Sequence, residues 1–166
     1  IDFNQIDLST EYSKLTEEEK ILVFCKLKGM NHVPPGIEQF LCDDYYLGLI
    51  TNGGSGIYQY WHDKLKEIYP SPVINKYPYI SLGGAIGIGK STLSKVCALY
   101  THCKLDCMIN PWKTFGLTEG KPITFMFAHV AAAVVEREFL DWFDNTMKKS
   151  PYFQNLYNKH NIAYIA

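Results

Sequence analysis

Gly84-Ala85-Ile86-Gly87-Ile88-Gly89-Lys90-Ser91 fits the pattern G-x-x-x-x-G-K-[ST], in which a glycine-rich loop cradles phosphate. The flanks decide how it is read. Tyr77-Pro78-Tyr79-Ile80-Ser81-Leu82 precedes it and is rich in the aromatic and β-branched residues that favour strands. Ser91 to Tyr100 follows it, with Leu93, Val96, Cys97 and Tyr100 at helical spacing. Strand, glycine loop and helix are therefore expected in that order. Gly84, Gly87 and Gly89 can take positive φ and let oxygens approach closely. Successive N–H groups of such a loop form a concave anion site, and the following helix aims its free N–H groups and positive dipole end at the same oxygens. Lys90 is placed to reach the β- and γ-phosphates as a point charge. The Ser91 hydroxyl is placed to ligate Mg²⁺. The competing reading is a glycine turn with a helix cap at Ser91, which needs neither Lys90 nor three spaced glycines.

Length and composition set the frame. The chain has 166 residues, 47% hydrophobic and 20% charged, which excludes a disordered chain and suggests one domain or one domain with a small addition. A net charge of −1 leaves no bulk electrostatic footprint for nucleic acid. Arg137 is the only arginine, so it is the sole candidate in this sequence for a bidentate clamp on phosphate or carboxylate. The five cysteines are odd in number and contain no C-x-x-C, which points to reduced thiols in a cytosolic setting. Cys103 and Cys107 make a weak metal pair, because no second Cys/His pair has ligand spacing. The longest apolar run, Ile123 to Val135, is interrupted by His129 and too short to span a bilayer. The chain starts at Ile1 and ends on the strand-like Asn161 to Ala166, so a fragment of a longer protein is expected.

Two regions are expected: a mostly helical one over residues 1–57, and the first part of an α/β domain over 58–166. Residues 1–15 read as irregular. Thr16-Glu17-Glu18-Glu19 is a capping box, and a helix carrying Ile21, Leu22, Phe24, Cys25 and Leu27 should end at Gly29. A short helix is expected from Ile37 to Cys42, with Asp43-Asp44 solvated or capping. Thr51 to Gly56 reads as a flexible turn. Tyr58 to Tyr69 forms an amphipathic helix ended by Pro70 and Pro72, with His62 at its surface. Gln59 can donate and accept, as an adenine edge requires, but a glutamine on an exposed helix face is the plainer reading. The loop's own helix should run to about His102 or beyond until Asn110-Pro111 stops it, followed by a loop over Trp112 to Lys121. Pro122 to Ala128 suits a strand buried on both faces of a parallel sheet. A long helix is expected from about Val130 to Lys149, closed by Ser150-Pro151. That alternation implies a parallel sheet flanked by helices with right-handed crossovers.

Hydrolysis of a nucleoside triphosphate needs more than a cradle: an acid that orients Mg²⁺ and a group that positions water. No expected strand here ends in Asp-Glu; Phe125-Met126-Phe127-Ala128 runs into His129. Asp141 and Asp144 fall inside a helix. The sequence supplies half of such a site.

The ordered set Gly83 to Thr92, Ala98-Leu99-Tyr100, Asn110-Pro111-Trp112-Lys113-Thr114-Phe115-Gly116-Leu117 and Pro122-Ile123-Thr124-Phe125 resembles the large terminase subunit of tailed bacteriophages. Tyr60-Trp61, Ile68-Tyr69-Pro70 and Ser150-Pro151-Tyr152-Phe153 extend the likeness to about residues 58–155. The resemblance implies a P-loop NTPase fold whose parallel sheet is incomplete in this chain. It also implies an ATPase motor that drives double-stranded viral DNA into a capsid, working with a portal protein and a small terminase subunit. A homo-oligomeric ring in the full-length protein, no membrane association and a place in the host cytoplasm follow from the same likeness. Gly84, Ala85, Ile86, Gly87, Ile88, Gly89, Lys90, Ser91 and Thr92 would bind ATP, with Lys90 catalytic, Ser91 on Mg²⁺ and Gln59 at the adenine. The family's acid pair would lie beyond Ala166 and its nuclease domain is absent. Many terminases carry an arginine in or beside this loop, and this one has none. The alternatives are another P-loop NTPase or kinase, disfavoured by the single arginine, and a non-catalytic nucleotide-binding assembly module.

Overall fold

A computed structural model describes residues 14–85, 87–121, 123, 124, 126 and 136–160. Helices come in chain order: α1 (Glu17–Leu27), α2 (Ile37–Cys42), α3 (Gly48–Thr51), α4 (Gln59–Ile68), α5 (Lys90–Asp106) and α6 (Pro111–Thr114). A π-helical turn (Glu136–Leu140) then leads into α7 (Asp141–Lys149), and α8 (Pro151–His160) follows.

Local chemistry explains the boundaries. Thr16 Oγ1 accepts the Glu19 N–H at 3.3 Å, and the Glu19 carboxylate accepts the Thr16 N–H at 2.8 Å. The Thr16 N–H, together with the Thr16 hydroxyl, which donates to the same carboxylate at 2.9 Å, holds the Glu19 carboxyl below its ordinary range. Glu17, Glu18 and Glu19 all sit in the first turn, where the helix dipole favours negative charge. Gly29 terminates α1 at φ +65°, a conformation that L side chains rarely adopt. Thr16→Ala is expected to cost about 1 kcal/mol of stability by chemical denaturation, the usual worth of such a cap. A loss below about 0.3 kcal/mol would show that α1 does not depend on it.

α5 is the centre of the molecule. Its Val96, Leu99, Tyr100 and Cys103 are fully buried among α2, α4 and α8, where Phe40, Leu41, Leu65 and Phe153 close the same cluster. Tyr100 also ties α5 to the turn before α2, donating from its hydroxyl to the Pro35 carbonyl at 2.8 Å. Thr51 pins α3, sharing its buried hydroxyl between the Leu41 and Leu47 carbonyls at 2.6 and 3.0 Å. Ser150 and Pro151 end α7 and at once begin α8, so they are a corner between two helices rather than a terminus.

The described residues form no parallel sheet, which corrects the expected α/β fold. Among the described residues the only β pairings are two isolated bridges, Met30 with Met108 and Ser71 with Ile74. Tyr77 to Leu82 has strand-like composition but no neighbouring strand to take its backbone groups, and Tyr79 is 93% exposed. Pro78, without an N–H, further weakens a ladder there. Of the second expected strand, Ile123, Thr124 and Met126 are not in a strand and Met126 is 85% exposed; its other residues lie outside the described ones. The third, at the C-terminus, also lies outside them, as do residues 130–135 of the expected long helix. Strand propensity reports fit to a pleated, half-buried surface; where helices supply the core, that surface is missing.

Candidate phosphate-binding loop

The glycine loop sits at the N-terminus of the 17-residue α5. Gly84, Gly87 and Gly89 have φ of +123°, +86° and +86°, so all three spaced glycines occupy the left-handed half of conformational space. Gly89 is the loop glycine packed against α4. A Cβ there would lie 3.0 Å from Trp61 Nε1 and 3.2 Å from Trp61 Cδ1. The same indole N–H donates to the Ile88 carbonyl. Trp61 is buried on α4, so α4 is braced against the loop through one side chain. In the sequence Trp61 reads as part of an apolar helix face and of the terminase likeness; its bracing of the loop depends on an indole N–H seeking a carbonyl, a signal no helical spacing carries.

Lys90 is the first residue of α5. Its ammonium donates to the Gly84 carbonyl at 3.0 Å and to the Ala85 carbonyl. The charge is thus folded across the loop it would share with phosphate. Ser91 is exposed in the first turn, which suits a neutral oxygen ligand. Thr92 is half-buried and faces the apolar pocket of Tyr58, Trp61 and Gly89 behind the loop. Ile88 is exposed apart from its carbonyl contact, and Ile86 lies outside the described residues.

Gln59 opens α4 next to Tyr58, whose ring comes within 3.5 Å of a Cβ at Gly89. Its amide donates to Asp63 Oδ1 at 2.9 Å, an ordinary exposed pair one turn apart. The structure therefore brings Gln59 to the side of the loop without aiming it at an empty polar pocket. Beside the loop, a groove of about 290 Å³ runs between α4 and residues 77–83, with Tyr60, Lys64, Glu67, Tyr77 and Tyr79 along it. Arg137 is exposed on the π-helical turn. His62 is half-buried rather than a plain surface residue, its Nε2 lying 2.9 Å from the Gly54 carbonyl. That contact also tethers the turn expected to be flexible. No group of three or more His, Cys, Asp or Glu that could hold a metal gathers among the described residues. None of the described helices is long and apolar enough to cross a membrane.

No family model matches the chain, and neither the curated proteins nor the solved structures contain a match to it. The terminase resemblance therefore rests on the ordered motifs alone.

Proposed function

We propose that residues 84–92 bind the phosphates of ATP, and that the chain is the ATP-binding part of a viral DNA-packaging ATPase of the large-terminase kind. One observation carries the reading: three positive-φ glycines lead directly into a long helix that begins Lys90-Ser91. Backbone N–H groups and the helix dipole converge where those glycines leave room for oxygens. On ligand entry the Lys90 ammonium exchanges two loop carbonyls for phosphate oxygens, a stronger charge-assisted pairing. Mg²⁺, which would neutralise developing phosphate charge, would take Ser91 as a protein ligand. In this reading the cradle is braced from α4 through Trp61 and Gly89, not from a preceding strand.

The wider reading rests on the motifs and the order in which they occur. Its partners are double-stranded viral DNA, a portal protein and a small terminase subunit, within a homo-oligomeric ring in the host cytoplasm. A weakly charged chain of net −1 should hold DNA poorly by itself.

The test is calorimetric titration with ATP, with and without Mg²⁺, on wild type and Lys90→Ala, with the ATPase rate measured on the same samples. Wild type should bind, and Lys90→Ala should weaken binding by about 10- to 100-fold, the worth of a hydrogen bond to a charged group. Circular dichroism should be unchanged, because Lys90 is on the surface side of α5's first turn and outside the buried cluster. Turnover should be far below about 1 s⁻¹, the low end of ordinary enzymes. Equal affinity in the variant would end the phosphate-loop assignment.

A further inference from the structure

Beside the C-terminal part of α5, remote in sequence from the glycine loop, lies a cavity of about 350 Å³. Phe24, Met30, Val73, Leu105, Met108 and Phe115 make its apolar wall. Lys104, Asn75, Thr101 and Thr114 are polar residues of its lining, and the exposed Lys28 lines it too. Among the described residues none that lines it is acidic.

Lys104 is the unusual member. It is only 7% exposed. Its ammonium donates to Asn75 Oδ1 at 2.7 Å and lies 4.8 Å from the centre of the Tyr69 ring and 4.6 Å from that of Tyr100. All three contacts are to neutral groups. A buried ammonium ordinarily has a carboxylate partner, because amide and ring contacts recover only part of its lost hydration. Asn75 lines the cavity as well as holding the amine, so the charge and its one hydrogen-bonding side chain both border the open volume. Lys28 adds a second positive charge to the lining, its amine 5.6 Å from the Phe24 ring centre.

We propose that this cavity binds a small monocarboxylate with a short apolar tail, its carboxylate pairing with Lys104 and its tail lying against Phe24, Met30, Leu105 and Met108. The charge pattern selects the ligand class. A cation would face two ammonium groups with no acid to hold it. A neutral alcohol would fill the apolar wall but leave the buried charge as it is. A dianion or phosphate ester would have to bury more charge than one lysine and an amide can compensate. None of these residues belongs to the glycine loop, so the site stands or falls independently of nucleotide binding.

Octanoate, 1-octanol and octylamine, equal in tail and different in head, are the probes for titration calorimetry on the full chain. Octanoate should bind saturably, about tenfold or more tighter than octanol, and octylamine should not bind. Lys104→Met should bind octanoate no better than octanol, while Lys28→Met should keep most of the preference. Lys104→Gln, polar and uncharged, serves as a second variant should the methionine protein not fold, and it too should lose the preference. Equal affinity of wild type for octanoate and octanol, absence of saturable octanoate binding, or a preference surviving in Lys104→Met or Lys104→Gln would each overturn the assignment.

Discussion

Phe40→Ala is expected to destabilise the protein by about 3–5 kcal/mol, the range for deleting a fully buried phenyl ring. Phe40 is 0% exposed. Its ring lies 5.1 Å from Tyr100 on α5, 5.7 Å from Tyr46 before α3, and 6.3 Å from Phe153 on α8, the last edge-to-face. Such pairs contribute about 0.5–1.5 kcal/mol beyond the area they bury. One side chain from a six-residue helix therefore joins three other parts of the chain. α2 is too short to persist alone, so its order depends on this packing. The cavity left behind would be bounded by large rings with little freedom to collapse, which places the cost toward the upper end. Urea denaturation followed by far-ultraviolet circular dichroism measures it. A lower midpoint with an unchanged slope is the expected form, since the folded and unfolded surfaces change little. A loss below about 1 kcal/mol would show that α2 packs only peripherally.

The helices were legible in the sequence where chemistry was local. Thr16 and Glu19 announce α1 because both halves of a capping box are side-chain-to-backbone bonds three residues apart. Gly29 and Pro70 mark boundaries through backbone geometry alone, whereas Pro111 does not stop α5, which already ends at Asp106, but opens α6 inside the stretch expected to be a loop. The sheet was read wrongly for the converse reason. Tyr77 to Leu82 has the side chains of a strand, but a strand is completed by a neighbour, and no local pattern shows whether one will be there. The corner at Ser150 was half legible: Pro151 does end α7, and as a residue well suited to a first helical position it also starts α8.

At the loop, the motif's spacing located three positive-φ glycines and the start of α5 correctly, because each is a property of one residue's backbone. The support was not legible. A sheet strand was expected to lead into the loop; the support that is present is an indole from α4, bonded to Ile88 and close against Gly89. Gly89 consequently answers to two constraints at once, its φ of +86° and the 3.0 Å approach of Trp61. Lys104 carried a signal that passed unused. It stands four residues after Tyr100 and eight after Val96, in register with the buried side of α5, where a lysine is out of place.

Between about pH 7 and about pH 10, that lysine should make the wild type gain about 2–3 kcal/mol of stability relative to Lys104→Met. Burial pushes the Lys104 ammonium down from 10.5 to about 8, opposed in part by Cys103 and Cys107. Below about 8 the amine is charged in both the folded and unfolded chain, and the folded state bears the cost of burying that charge. Above about 8 the folded protein releases the proton while the unfolded chain keeps it until about 10.5. The unfolded state then binds more protons, so stability rises with pH across that window and levels off above it. Other groups pull the opposite way. Burial raises the Cys25 thiol from 9.0 to about 11 and the Tyr46 phenol from 10.0 to about 12, and each favours unfolding as pH climbs past its ordinary value. The wild-type curve alone therefore mixes opposing slopes. Subtracting the Lys104→Met curve removes the groups that do not interact with the lysine and leaves Lys104 with its coupling to Cys103 and Cys107. Denaturation midpoints at matched ionic strength give the difference directly. A flat difference curve would mean that Asn75 and the rings of Tyr69 and Tyr100 compensate the buried charge in full, and the argument for a carboxylate in the neighbouring cavity would lose its electrostatic basis.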